Sequence, residues 1–530
     1  MADDEFAGRD TTGRDASDLD AFLRTAGAIL GSERVTTPDA LAGSAQRATF
    51  PWPGRILGCL RPADAESVPP LLAAATRHRV PIHPVSRGRS WGLGSRLPPR
   101  DAVLLDLGDL DRILGIDMRR GTARIEPGVT FAALQRRLAH EGLAFHLPSF
   151  GGPTDASVLA NALERGEGAG PFGDRFGALW DIDLALATGE RFSTGADRHA
   201  EPARAIHPRP AGPVLEGLFS QSGFGIALAG TIALQPTLPH ALALVAEIGG
   251  HDALPGAIAT LARLIHAGIV PAHSVAVWNG AKRRASLPAA AARDLSEGLS
   301  TDTTADDDFA LSVMLTAAHP DLLRILRSIV EAELRPVTSA ISVHDDRDAS
   351  GRRLDTQLTG FSDGRNVLSV YAGKPVKPDV PGNPDADGCG FLWLCPVVPL
   401  DGTAVAAVAG DVDQVMQEFR NGGQRFLHPA LGFQAVSARA FHAYVSLAWD
   451  RDAPGADALA MRAHDALVAR FAARGFTPYR LALATISAFA TPEDASAPVI
   501  ARLRAALDPE GILSPGKCGA GHAKPGSGSP

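Results

Sequence analysis

The chain has 530 residues, 45% of them hydrophobic and 21% charged, which is too long for one core and sets an expectation of two to four structural units, two being the working number. A net charge of −8 in mixed signs, without a basic tract, argues against nucleic acid as a partner, and no apolar run approaches the roughly 18 residues of a membrane span. Cys59, Cys389, Cys395 and Cys518 show no CxxC spacing, so neither a disulfide framework nor a metal site is predicted.

The opening MADDEFAGRDTTGRDASDLD carries acids where a secretory signal needs a basic start and an apolar core, which predicts a cytoplasmic protein. Residues 20–31, DAFLRTAGAILG, have helical spacing and stop at Gly31. RILGCLRP is strand-like, DAESVPPLLAAATRHR is helical and VPIHPV is again a strand. It runs into PVSRGRSWGLGS, residues 84–95, a bare cationic loop. Small residues there let backbone N–H groups approach an anion, and arginine adds charge-assisted bonds to phosphate. An ordinary glycine-rich turn would read the same, and the spacing is not the GxGxxG of a Rossmann turn.

Short glycine-punctuated strands follow in AVLLDLGDLDRILGIDMRRGTARIEPGVT, then the helix FAALQRRLAHEGL. Residues 147–177, LPSFGGPTDASVLANALERGEGAGPFGDRFG, offer small donors to a large polar ligand beside the charged pair Glu164 and Arg165, although ASVLANALERG alone also suits a glycine-capped amphipathic helix. From about residue 240 the order becomes strand, helix, strand (ALALVAEIGG, ALPGAIATLARLIHAG, VPAHSVAVWNG). It returns in GFLWLCPVVPL, AVAAVAGDVDQVMQEFRNGG and ARAFHAYVSLAWDR, followed by the helix DALAMRAHDALVARFAARG. Residues 241–485 are therefore expected to form a second domain, an antiparallel sheet with helices on one face. PVIARLRAALDPEGILSPGKCG is a helix ending at DPEG, and 521–530 has the composition of a flexible tail. Strand clusters separate the helices, so the fold class is α+β.

Six blocks in order (PVSRGRSWGLGS, VLLDLGDLDRIL, ARIEPGVT, SVLANALERGEGAGPFGDRFG, LFSQSGFGIALAGTIALQP and LDPEGILSPGK) resemble the vanillyl-alcohol oxidase and para-cresol methylhydroxylase family of flavoproteins. The resemblance implies a PCMH-type FAD-binding domain of two α/β subdomains, residues 1–240 completed by 486–520, with 241–485 as the cap over the flavin ring. Pro84, Ser86, Arg87, Gly88, Arg89, Ser90, Trp91 and Gly92 are then expected to cradle the FAD pyrophosphate. Pro148, Ser149, Gly151, Gly152, Ser157, Asn161, Glu164, Arg165 and Gly166 would form a second flavin-contacting segment, and Gly225 and Ile226 would lie near the adenine. Lys517 would stand by the flavin pyrimidine, where a cation stabilises the reduced ring.

The same resemblance places Tyr479 and Arg480 where the family binds a phenolate oxygen, and His442 at its active-site histidine. On residue type alone a Tyr-Arg pair also reads as a surface pair and a lone histidine as a core residue. An arginine beside a phenol donor lowers the pKa of a bound phenol and favours hydride loss at its para-carbon. The implied activity is FAD-dependent removal of a hydride from a benzylic or similarly activated carbon of a small molecule, with reoxidation by oxygen or by an electron-acceptor protein. A non-phenolic specialised metabolite and a catalytically decayed flavin binder are the alternatives. Pro148 is compatible with oxygen access, and relatives make a homo-oligomer reasonable.

Departures qualify that reading. Leu93 stands where the family has a second phenolate-binding tyrosine, which removes a donor. The oxidase branch's aspartate falls at Ser149 and the methylhydroxylase branch's cap glutamate near Phe433, so neither carboxylate is present. Water addition should then be weak against alcohol oxidation or desaturation. The resemblance places the family's flavin attachment in GCGFLWLCPV, at or beside Gly390, where no histidine or tyrosine stands, so dissociable FAD is expected, with a link to Cys389 as the minor alternative.

Overall fold

The computed structural model describes residues 16–517 apart from 42, 143, 148–150, 169, 171–172, 196–206, 209–211, 287–307, 346–364, 420–426, 487 and 489–494. The first helix, Ala16–Leu30, ends at Gly31, whose φ of 92° explains the glycine stop read from the sequence. Next comes a four-stranded sheet in the spatial order Val35–Thr36, Ile56–Leu60, Ala102–Asp106, Ile82–Val85, its last three strands parallel. Ile82 N–H donates to Ile512 O and Ile82 O accepts from Ser514 N–H, both at 2.8 Å, so the segment after the helix Ala497–Leu507 continues this sheet beside its edge strand. The loop of residues 86–95 therefore leaves the carboxyl end of a parallel strand, the edge at which open α/β sheets bind ligands.

A second, antiparallel sheet runs Ile113–Asp117, Thr122–Ile125, Ile226–Ala233, Leu179–Ala185, Arg191–Ser193. The third has eight strands. Seven follow the path Ala340–His344, His240–Ile248, Phe309–Ala317, Val275–Asn279, His428–Ala435, Ala440–Asp450, Cys389–Leu394, and Val397–Pro399 adds to Ala440–Asp450.

The third sheet's two faces differ because side chains alternate along a strand. Val275, Val277, Leu311, Val313, Phe433 and Val445 point into a core shared with the helices Leu254–His266, Pro320–Leu334, Gly402–Glu418 and Ala456–Ala473. Burying each such side chain contributes roughly 1.5–3 kcal/mol, enough to fix the register, since a one-residue slip would turn the whole set outward. The intervening residues Ala276, Trp278, Ala310, Ser312, Gln434 and Tyr444 face the other way and roof a cavity shared with the loop of residues 86–95. Helices thus occupy one face of an antiparallel sheet, the expected α+β arrangement, and the free face carries the site. No described helix is long and apolar enough to cross a membrane.

Candidate active site

The cavity holds about 500 Å³. At its first end lies the glycine-rich loop, where Gly88 has φ 62°, a conformation that presents successive amides to one point. The backbone N–H groups of residues 86–90 donate to no protein acceptor among the described residues. Arg87 and Arg89 line the cavity. Arg87 Nε and Nη2 donate to Gly128 O at 3.0 and 2.6 Å, and Arg89 Nε and Nη2 to Asp155 Oδ2 at 2.9 and 2.5 Å, so both guanidiniums are also held by protein partners.

Pro84, Ser86, Ser90 and Trp91 also line the cavity. Gly92 does not: a Cβ there would lie 2.7 Å from the Phe391 ring, so this glycine lets the strand Cys389–Leu394 approach. The loop is anchored by Asp385, which accepts from Trp91 Nε1 at 3.1 Å and Ser95 Oγ at 2.7 Å, and whose carboxyl burial pushes up to about 6.

Gly151, Gly152, Ser157, Asn161 and Glu164 form the neighbouring wall. Ser157 is the N-cap of the helix Val158–Leu163, accepting from Ala160 N–H at 3.0 Å while donating to Pro127 O at 2.5 Å, so its hydroxyl is already committed. Asn161 Oδ1 is buried without a partner, an acceptor awaiting a donor. Arg165, with φ 53°, donates from Nε to Ser220 Oγ at 3.0 Å, and Gly166 approaches Asn161 so closely that a Cβ would lie 2.1 Å from Oδ1. These two shape the turn after the helix and do not line the cavity. Pro148 and Ser149 lie outside the described residues.

Gly225 and Ile226 line the cavity beside Phe219. Lys517 forms an ion pair with Glu164, and His83 lies in the same wall, its imidazole pushed down to about 3 by burial and then by Lys517. Burial raises Glu164, but Lys517, Arg480 and His83 outweigh it and hold the carboxyl below its ordinary range. The 36% of the Glu164 side chain that stays accessible opens onto this cavity. Unpaired amides, small residues, an orphaned acceptor and a cation along one elongated wall fit a dinucleotide with a diphosphate, which is FAD's shape and charge.

Another part of the lining is aromatic. Tyr479 is tied by its N–H to Cys395 O at 3.1 Å, and its carbonyl accepts from Gln221 Nε2 at 2.8 Å. Its ring stacks on His442, centroids 3.8 Å apart and planes within 6°. Tyr444, two residues from His442 on the same strand face, stacks on Trp393 at 5.3 Å. Burial pushes both phenols well above their ordinary range. Tyr479 adds to this at Tyr444, while Cys395 and Glu167 add to it at Tyr479 and Arg480 opposes it. Both tyrosines, Arg480 and Lys282 line the cavity, whereas His442 sits behind Tyr479.

Glu167 also lines the cavity. His273 Nε2 lies 2.9 Å from its Oε2 in a hydrogen bond, and His442 Nδ1 lies 3.3 Å from its Oε1, within ion-pair range but out of hydrogen-bonding alignment. Burial raises this carboxyl, yet the two imidazoles outweigh it and keep Glu167 below its ordinary range. Sequence reading missed both Tyr444 and Glu167. The i, i+2 spacing of His442 and Tyr444 was the one local signal for the former.

Two features bear on the departures. Tyr444 is a second phenol in the lining beside Tyr479, while Leu93 lines the same cavity. The lining also holds a carboxylate, Glu167, although Phe433 is core, edge-on to Phe441 at 6.1 Å. A Cβ on Gly390 would lie 2.3 Å from the Trp449 ring, so this position has no room for a histidine or tyrosine. Cys389 packs with Trp91 and Phe391 and is not part of the cavity lining, its thiol pushed up to about 12 by burial.

Residues 56–195 match the family model of the FAD binding domain. The chain is 31% identical over 529 residues to 1'-carboxy-chondrochloren decarboxylase of Chondromyces crocatus, covering 94% of this chain and 96% of that protein. It is 32% identical over 177 residues to the 4-cresol dehydrogenase [hydroxylating] flavoprotein subunit of Pseudomonas putida, 33% of this chain and 34% of that one. The fold matches 4-ethylphenol oxidase from Gulosibacter chungangensis, in an isoeugenol complex, with a TM-score of 0.84 at 22% identity over 96% of this chain and 98% of the other. It matches p-cresol methylhydroxylase with substrate bound at 0.82 and 21% identity, with the same coverage. With similarity along nearly its whole length and a cavity suited to the cofactor, this chain belongs to the vanillyl-alcohol oxidase/p-cresol methylhydroxylase family of FAD-dependent oxidoreductases.

Proposed function

We propose that the enzyme removes a hydride from a benzylic or similarly activated carbon of a phenol held between Tyr479, Tyr444 and Arg480. The observation that carries this reading is the buried phenol of Tyr479 and the half-buried phenol of Tyr444 beside Arg480 in the lining of the cavity that also holds the glycine-rich loop. FAD, when bound, supplies the two-electron acceptor. The amides of residues 86–90 would hold its diphosphate, with Gly151, Gly152 and Asn161 along its length, Gly225 and Ile226 at the adenine, and Lys517 at the ring.

The protein's own contribution begins with protonation. Because burial keeps Tyr444 and Tyr479 protonated at neutral pH, both can donate to a substrate oxygen, and charge-assisted bonds of this kind stabilise an oxyanion. Arg480 adds positive charge, so the bound phenol ionises more readily than in water. A phenolate pushes electron density to its para-substituent and lowers the barrier to hydride loss there. His442 holds the Tyr479 ring from behind, and the roof of the third sheet excludes water.

The test is anaerobic mixing of the yellow holoprotein with 4-ethylphenol or 4-hydroxybenzyl alcohol. Bleaching of the flavin absorbance supports the reading, and a spectrum unchanged by either probe overturns it. Repeating the reaction in air, with and without an artificial acceptor, separates oxidase from dehydrogenase.

A second reading, oxidative decarboxylation, is favoured by the name of the full-length Chondromyces relative and by the cations Lys282 and Arg480 in the wall, which suit a substrate carboxylate. 4-Hydroxymandelate discriminates: 4-hydroxybenzaldehyde with released CO₂ marks decarboxylation, and the α-keto acid marks alcohol oxidation alone.

A further inference from the structure

Glu167 pairs with Asp174 in an isolated antiparallel bridge, with Gly168 N–H donating to Gly173 O at 2.8 Å. Gln434 Nε2 ties this bridge to the third sheet, donating to Gly168 O at 3.1 Å and to His273 O at 3.2 Å. The side chain is 13% exposed, and each flanking imidazole is 10% exposed. The groups facing it are His273 ahead of the strand Val275–Asn279, His442 and Tyr444 on the strand Ala440–Asp450, Tyr479, and Arg175, whose guanidinium lies over Phe131 at 4.7 Å. These groups do not form a metal site: among the described residues no cluster of three or more His, Cys, Asp or Glu could hold an ion.

A carboxylate in an enclosed aromatic cavity is costly to bury, and here two histidines offset that cost at a position lining the same space as the substrate-binding phenols. Each carboxylate oxygen has more acceptor capacity than one imidazole uses. Glu167 is thus an ionised acceptor, fixed by elements of both the FAD-binding part and the cap, and no structural partner exhausts it.

We propose that Glu167 is the proton acceptor of the reaction and that a benzylic alcohol is the substrate class it serves, a role that rests on the hydride-removal reading above. The alcohol's C–H bond breaks with its electron pair leaving as hydride to the bound flavin. Its O–H bond breaks with the proton passing to Glu167, and the oxygen's freed pair closes the C=O bond. His273 is a positioning residue: its Nε2–H holds the carboxylate charged and oriented between turnovers.

The experiment uses anaerobic stopped-flow bleaching, by pH jump to between pH 3 and 9, of wild-type, Glu167→Gln and His273→Gln holoprotein by 4-hydroxybenzyl alcohol. In wild type we expect the rate to fall only at pH values below the ordinary carboxylate range, because the two imidazoles hold Glu167 low. For E167Q we expect a limiting rate at least ~100-fold lower at pH 7, loss of that acid limb, and a half-saturating probe concentration within ~3-fold of wild type, in line with the usual size of general-base effects. For H273Q the acid limb should move to higher pH, a shift that a merely structural histidine would not produce and that also decides the matter if E167Q fails to retain FAD. E167Q bleaching at the wild-type rate with the acid limb in place, or H273Q leaving that limb unmoved, overturns the role of Glu167 and leaves the hydride-removal reading standing. Wild type that is never bleached overturns both.

Discussion

Replacing Gly390 by alanine tests the close packing of this residue against Trp449. The new Cβ would lie 2.3 Å from two ring carbons of Trp449. Ordinary carbon contacts are ~3.5 Å or more, so one partner must retreat by ~1.2 Å. Trp449 has little room to do so: it is fully buried, its Nε1 donates to Asp457 Oδ1 at 2.7 Å, and its backbone abuts Gly373, where a Cβ would come within 2.2 Å of Trp449 Cα. Overpacking of this kind costs ~1–3 kcal/mol, and a strained buried hydrogen bond adds ~1 kcal/mol, giving a loss of ~2–4 kcal/mol. Gly410 is the control, since it lies exposed within the helix Gly402–Glu418 with open space where an added methyl would point, and alanine there should stabilise by ~0.5–1 kcal/mol. Urea titration followed by tryptophan fluorescence should move the midpoint down for G390A and up for G410A. A G390A midpoint equal to that of wild type would refute the packing argument, as would a shift of both variants in the same direction.

With no room for a linking side chain at Gly390 and Cys389 outside the cavity lining, acid precipitation should leave the yellow colour in the supernatant, read as free FAD by absorbance. Tyr479→Phe and Tyr444→Phe should each lower kcat/KM for 4-hydroxybenzyl alcohol ~10- to 100-fold, the worth of one charge-assisted hydrogen bond, and losses under ~3-fold in both would exclude the two-donor pocket. Asp385→Ala removes the acceptor for Trp91 and Ser95, so FAD should bind at least ~10-fold more weakly by fluorescence titration. His146 is buried and pushed down to about 4 by that burial. Its unfolded value is near 6.5, so the unfolded chain takes the proton first and stability falls as pH drops from 6.5 towards 4, by ~2 kcal/mol at pH 5. The drop in urea midpoint between pH 7 and pH 5 should therefore be smaller in His146→Gln, and an equal drop would remove His146 as its cause.

The parts of this protein legible in its sequence are those set by neighbours along the chain. The glycine stop at Gly31, the amphipathic helix ending at Leu507 and the strand leading into the loop at residue 86 all follow from local periodicity and backbone freedom. The strand Phe309–Ala317 and the helix Pro320–Leu334 are absent from the sequence reading, and the strand's place between His240–Ile248 and Val275–Asn279 is set by pairing between distant segments. The site divides the same way. Tyr479 and Arg480 are adjacent and carry a recognisable chemistry, whereas Glu167 lies in a run of glycines and gains its meaning only from His273, 106 residues away, and from His442 on a later strand.

The arginines of the loop show the same dependence on the fold. Their charge suggests phosphate, and Gly128 O and Asp155 each hold one guanidinium at the cavity wall. Residue type identifies what a group can do, and the partners that the fold brings within 3 Å decide what it does. Glu167 and Arg89 are each a charged side chain in a glycine-rich segment lining one cavity. The arginine meets a carboxylate that neutralises it, and the glutamate meets imidazoles that keep it charged without exhausting its acceptor capacity. That difference makes the glutamate the stronger candidate for moving a proton.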